Sequence, residues 1–173
     1  MKIHPHGQLT PVEDNILTVT GTILMPAGRL PRRMTVVRLP DRRLVLFSVM
    51  SLDDEQMAVL EAFGQPAFMI VPNDHHRMDA KSWRERYPAL RVIAPAGSRQ
   101  KVEKVVLVDA TFGDFGDPSV RFVPVNGTAE KRGGTGSARG NRHHAHPQRS
   151  GRQHPRCFGF LRVVPAPHGV CRR

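Results

Sequence analysis

The sequence predicts an α/β layered domain over residues 1–126, followed by a low-complexity basic tail over 127–173. Three observations carry this. Short β-branched runs come first and are then interleaved with amphipathic stretches, the order of a β meander followed by helix, strand, helix, strand. The run Leu44-Val-Leu-Phe47 is apolar on both faces, as a strand covered on each side must be. After Asn126 the pattern stops.

The elements follow in order. Asn15–Thr20 and Thr22–Met25 read as β segments separated by Gly21. Arg33–Leu39 is rich in β-branched residues and stops at Pro40; Asp41-Arg-Arg43 reads as a tight turn into Leu44–Val49, so the pair forms a hairpin. Ser51-Leu-Asp-Asp-Glu55 opens a helix, with Ser51 as cap and acidic residues facing the positive end of the dipole. Leu52, Val59, Leu60 and Phe63 fall on one face, Gly64 closes the helix, and Pro66 prevents its continuation. Ala67–Val71 is a strand, Pro72–His76 a loop, Asp79–Arg86 a short helix, and Arg91–Ala94 a strand stopped by Pro95 and Gly97. Lys104–Val108 and Val120–Val123 read as further strands around a Gly/Asp loop.

The net charge of +11 invites a nucleic-acid reading, but its location matters. Residues 1–126 hold 16 Lys+Arg against 14 Asp+Glu, a net of +2; residues 127–173 hold 10 against 1, a net of +9. The basicity belongs to the tail. The only cysteines, Cys157 and Cys171, also lie there, so the domain carries neither a disulfide framework nor a thiolate metal site, which fits a reducing cytoplasm. No basic start joins a long apolar run, so neither a signal peptide nor a membrane span is expected.

The tail holds eight glycines, four prolines, five histidines and nine arginines, with one apolar cluster at Phe158–Val164. Such a composition buries too little apolar surface to offset its ordering entropy, so it reads as disordered. The genetic code offers another origin, because these residues are what a GC-rich gene yields out of frame. Each histidine codon is CAY; where a codon starting with C follows, a frame one nucleotide later reads Ile or Thr. Across Gly140–Arg149 (GNRHHAHPQR) the shifted frame permits Thr-Thr-Leu-Ile-Leu-Asn-Asp, a strand-like run ending in a polar pair. The out-of-frame origin accounts for both the break and the strand-like shifted frame, and is preferred to a selected basic arm.

One stretch of the domain carries candidate chemistry, Pro72-Asn-Asp-His-His-Arg-Met-Asp79. A buried strand runs into a loop bearing His75, His76 and Asp79, and layered α/β folds gather ligands at the carboxyl ends of strands. Imidazole and carboxylate suit zinc or iron, given further ligands. The plain alternative is that the histidines pack or cap the next helix, with Asp79 as its N-terminal acid; residue types alone favour it, because neighbouring histidines rarely share one ion. The remaining features are weaker. Phe112-Gly-Asp-Phe-Gly-Asp117 lacks a P-loop lysine and reads as a surface turn. Arg32, Arg33, Arg42 and Arg43 could form a basic patch but read as solvated strand ends; Trp83 reads as a packing residue; His143, His144 and His146 could bind a metal adventitiously.

Leu30-Pro-Arg-Arg-Met-Thr-Val-Val-Arg-Leu39, the strand ending Phe47-Ser48, Val71-Pro-Asn-Asp-His-His76, Trp83, Arg86-Tyr-Pro88 and Asn126-Gly-Thr-Ala-Glu130 together resemble an uncharacterised domain family of the metallo-β-lactamase (metallo-hydrolase/oxidoreductase) superfamily. The resemblance covers about residues 9–131. It implies an αββα sandwich, here incomplete, with a site at one edge of the sheets. The superfamily motif His-x-His-x-Asp-His places its first His on His75 and its Asp on Asp79, but Arg77 and Ala80 hold the other two positions. The resembling family keeps the adjacent pair, so the resemblance implies His75, His76 and Asp79 as metal residues of an altered site. It also places an Asn-Asp pair at a strand end after the Thr-Ala-Glu segment, which the shifted frame permits and the read frame lacks. The expectation is a metallo-β-lactamase-like protein with a degenerate or incomplete site, a metal-dependent hydrolase acting on a small molecule if active. The alternative is a small α/β module whose Arg/His-rich tail binds nucleic acid or anionic surfaces.

Overall fold

A computed structural model describes residues 3–26, 28–118, 120–123 and 160–163. Except for Phe160–Val163, the tail, with His143, His144, His146, Cys157 and Cys171, lies outside the described residues. Six strands form one sheet in sequence order: β1 (Thr10–Glu13), β2 (Ile16–Met25), β3 (Gly28–Arg38), β4 (Arg43–Phe47), β5 (Gln65–Ile70) and β6 (Arg91–Ile93). The first four are antiparallel neighbours, while β4, β5 and β6 are parallel. The parallel pairs need crossovers, which α1 (Asp54–Phe63) and α2 (Ala80–Arg86) supply. A third helix, α3 (Ala96–Val102), follows β6.

Alternation along the strands makes two cores. Leu17, Val19, Met34, Val36, Leu44, Leu46, Met69 and Val92 point to the face covered by Met57, Leu60, Ala80, Trp83 and Val102 of the helices. Val37, Val45, Phe68, Ile70 and Ile93 point to the other face, against Phe115, Val120 and Phe122. Sequence and structure therefore agree that Leu44–Phe47 is buried from both sides. β7 (Val120–Val123) pairs antiparallel with β8 (Phe160–Val163), as a separate two-stranded sheet. Phe160–Val163 falls in the segment expected to be unstructured; it belongs to that segment's one apolar run, and β7 offers it a ladder.

Several expectations change. Gly21 does not divide two strands: β2 runs through it, and the glycine admits a crossing segment, since a Cβ there would meet Pro5 O at 3.2 Å and His6 Cβ at 3.3 Å. The helix cap is Asp53, whose carboxylate accepts from Gln56 N–H at 2.9 Å, and Ser51 is used elsewhere. The buried face of α1 is Gln56, Met57 and Leu60; Val59 is exposed. Gln56 lies inside because its Oε1 accepts from Leu9 N–H at 2.7 Å. Lys104–Val108 is not a strand. Val105 and Val106 N–H close back on Val102 O as α3 unwinds, and the Asp109 carboxylate takes Val92 N–H at 2.7 Å where a strand would have paired. The Phe112–Asp117 turn buries Phe115 edge-on against Phe68, with centroids 5.2 Å apart. Trp83 packs as expected, its indole N–H donating to Met50 O. Among the described residues, no helix is long and apolar enough to cross a membrane.

Gly64 sits where α1 turns into β5, and a Cβ there would lie 2.3 Å from Arg42 O and 2.7 Å from Leu44 Cδ2. Because a backbone carbonyl cannot yield cheaply, Gly64→Ala is expected to destabilise the protein by about 1–3 kcal/mol, measured as a lower urea midpoint. A second expectation concerns the link between α1 and α2. Tyr87 donates to Glu61 at 2.5 Å and Arg86 to the same oxygen at 3.0 Å. Tyr87's hydrogen bond, then Arg86, hold Glu61 below its ordinary value of 4.5, while burial, then Glu61, push the Tyr87 phenol up to about 12. A lowered folded carboxylate contributes stability that is full above its unfolded pKa and lost as pH falls through the folded one. Glu61→Gln should therefore flatten the fall of the urea midpoint between about pH 6 and about pH 3.

Candidate functional site

The lengths of the strands create the site. β2 and β3 run on past the end of β4, because Thr35 already pairs with Phe47 while β3 begins at Gly28. The overhang of the hairpin stands beside the loops that leave the carboxyl ends of β4 and β5. Arg32 lies on that overhang, Ser48 and Ser51 follow β4, and residues 72–79 follow β5.

Ser48 is held by its N–H donating to Ile70 O at 3.0 Å and takes φ 58°, the left-handed region that a residue with a Cβ enters at a cost of about 1–2 kcal/mol. It is buried, and its Oγ lies 2.5 Å from His76 Nδ1. The loop carrying His76 is shaped by Asn73, whose side-chain oxygen accepts from His75 N–H at 2.9 Å and whose carbonyl accepts from His76 N–H at 3.2 Å. His76 is half-buried. Burial, aided by the charges of His75 and Arg32, holds its imidazole below the ordinary range, which favours the neutral ring near pH 7.

His75 faces away, with its side chain 87 % exposed and its Nε2 3.7 Å from Asp74 Oδ1. Lys101 Nζ donates to Asp74 at 2.6 Å, and this bond, more than the nearby charges, lowers the Asp74 pKa. Asp79 is buried at the start of α2, but its side chain makes no helix cap. One oxygen accepts from Ser51 Oγ at 2.6 Å and the other pairs with the Arg32 guanidinium. That ion pair is almost dry, the two side chains being 10 % and 7 % exposed, and Arg32 Nε is buried with no hydrogen-bond partner among the described residues.

The three residues predicted from sequence are thus near in the chain but divided in use: His75 is in solvent, His76 is on Ser48, and Asp79 is on Arg32 and Ser51. Among the described residues, no three His, Cys, Asp or Glu side chains are gathered to hold a metal ion. Both oxygens of Asp79 are engaged, one by the Arg32 guanidinium and one by the Ser51 hydroxyl. The sequence reading missed Ser48 and Arg32. By residue type Arg32 groups with Arg33, Arg42 and Arg43 as solvated strand ends. Instead Arg42 donates to Ala62 O and Arg43 to Asp41 and Phe115 O, while Arg32 is turned inward. A lone buried arginine gives no local sequence signal; only a carboxylate elsewhere in the fold explains it.

No family model matches the chain, and no curated protein does. Among solved structures it is similar to the metallo-β-lactamase DIM-1 exposed to ceftazidime, at 11% identity and TM-score 0.52 over 69% of this chain and 59% of that one. It is also similar to the FIM-1 metallo-β-lactamase from Pseudomonas aeruginosa in its mono-zinc form (16% identity, TM-score 0.48, 69% and 54% covered) and to a metallo-β-lactamase from Hirschia baltica (12%, 0.49, 69% and 61%). The chain spans between about a half and two thirds of the length of these structures. At such identities the likeness concerns the fold alone: the chain has an α/β fold of metallo-β-lactamase type.

Proposed function

We propose that the chain is a metallo-hydrolase-like protein with a degenerate centre, acting on a small molecule at the edge where β4 and β5 end, and that the Arg32 guanidinium stands where positive charge is needed beside Asp79. The observation that carries this reading is the commitment of both Asp79 oxygens, one to Arg32 and one to Ser51. An ion at this carboxylate would have to displace a charge-paired arginine and overcome its repulsion. The metal set His75, His76 and Asp79 stays the competing outcome of the test. In it, loss of the Arg32 contact would free Asp79 to join the two imidazoles, and zinc would lower the pKa of a bound water.

Full-length protein dialysed against excess zinc and then gel-filtered is expected to retain far less than one zinc per chain by elemental analysis. One or more tightly held zinc ions would overturn the degenerate-centre reading. Arg32→Ala is expected to cost roughly 3 kcal/mol in urea unfolding, because it leaves a buried carboxylate without its counter-ion.

We further propose that the basic tail comes from a shifted reading frame from about residue 132 onward, supported by the charge and composition break that follows Asn126 and by the strand-like run the shifted frame permits. Expressing the gene with the frame restored ahead of codon 132 should raise the melting temperature by several degrees; an unchanged or lower melting temperature argues for the read-frame tail.

A further inference from the structure

We infer that the free end of the β2–β3 hairpin is a membrane-surface anchor, seated in the headgroup layer of bilayers rich in anionic phospholipid. Beyond Gly21 and Arg32 the two strands continue through four register pairs, Thr22–Pro31, Ile23–Leu30, Leu24–Arg29 and Met25–Gly28. At about 3.3 Å per residue the end projects roughly 10 Å. It is apolar yet exposed: Leu24 is 52 %, Met25 47 % and Leu30 39 % exposed. Directly opposed residues share a face of a ribbon, and successive residues alternate between faces. Ile23, Met25 and Leu30 therefore lie on one face and Leu24 on the other.

This two-sided pattern selects the occupant. A protein partner, a second copy or a small molecule covers one face of a ribbon end and leaves the other in water, whereas a bilayer surface surrounds both. The charge points the same way. Residues 15–40 hold four arginines and no Asp or Glu. Arg32 is neutralised by Asp79, and Arg38 donates to Asp14 O and Phe63 O. Arg29 and Arg33 are exposed, and neither makes an ion pair among the described residues. Both lie on the Leu24 face, Arg29 opposite Leu24 itself and Arg33 opposite Thr20, nearer the body. Their long stems let the charges stay at the lipid phosphates while the apolar end goes deeper. The reach of the free end suits an interfacial element, which sits about 5–10 Å deep. The ribbon's outer backbone groups still need water, which holds it in the headgroup layer.

The probe is vesicles of phosphatidylcholine containing a quarter phosphatidylglycerol, titrated into the full-length protein and read by co-sedimentation, with pure phosphatidylcholine vesicles as the comparison. The basic tail is present in every arm, so substitutions in the hairpin isolate its share. Leu24→Asp combined with Leu30→Asp should bind the anionic vesicles at least about tenfold more weakly, with an unchanged thermal melt. Met25→Trp reports depth: its emission should be quenched by lipids with brominated acyl chains, over the wild-type signal of the buried Trp83. Should the double variant fail to fold, the quenching decides alone. Unchanged affinity of the folded double variant, or a Met25→Trp emission that brominated lipid leaves untouched, overturns the anchor. So does a wild-type dimer in sedimentation that the double variant loses while both bind vesicles equally, since a second copy then covers the hairpin end. Zinc retention is untouched by any of these outcomes, so the degenerate-centre reading stands or falls separately.

Discussion

The buried pair of Arg32 and Asp79 is the constraint on which the site depends. Each partner comes from a different part of the fold, Arg32 from the overhang of the β2–β3 hairpin and Asp79 from the residue before α2. Taking two charges out of water costs several kcal/mol per ion, and only close geometry with further hydrogen bonds offsets it. Ser51 supplies one such bond, so the hairpin, the segment after β4 and the start of α2 are tied at one point. The loop between β5 and α2 is thereby anchored at both ends, with Val71 N–H on Ile93 O at one and Asp79 at the other.

That anchoring decides what the two histidines can do. With Asp79 pulled toward the hairpin and Asn73 folding the loop back on itself, His76 turns inward over the end of β4 and His75 outward. In this arrangement His76 meets Ser48 while the His75 side chain is exposed beside Asp74. The same loop in a metal hydrolase must present its imidazoles and carboxylate to one point with one coordination position left open. Here the Asp79 carboxylate meets the Arg32 guanidinium and the Ser51 hydroxyl.

Much of the fold was legible in the sequence. The hairpin at Asp41–Arg43, the two-sided burial of Leu44–Phe47, the strand–loop–helix at 67–86 and the strand from Arg91 all follow from local periodicity and turn chemistry. The errors share a cause. Lys104–Val108 has strand composition, but the Asp109 side chain takes the edge hydrogen bond that a strand would have taken. Ser51 has cap chemistry, but Asp53 sits two residues closer to the helix and Asp79 claims the Ser51 hydroxyl. Gln56 lies on the buried face because Leu9, 47 residues away in sequence, needs an acceptor. In each case a distant polar partner overrode a local preference.

The sequence by itself determined the order of elements, the two apolar faces of the central strands and the location of the candidate loop, because period, turn residues and hydrophobic burial act over a few residues. Only the tertiary structure decided which side chains meet: that Arg32 is not a surface charge, that Asp79 is its counter-ion, and that Ser48 faces His76. Those pairings depend on the overhang of one hairpin past the end of a shorter strand. No stretch of sequence encodes that overhang, since it arises only when strands of unequal length are set in register.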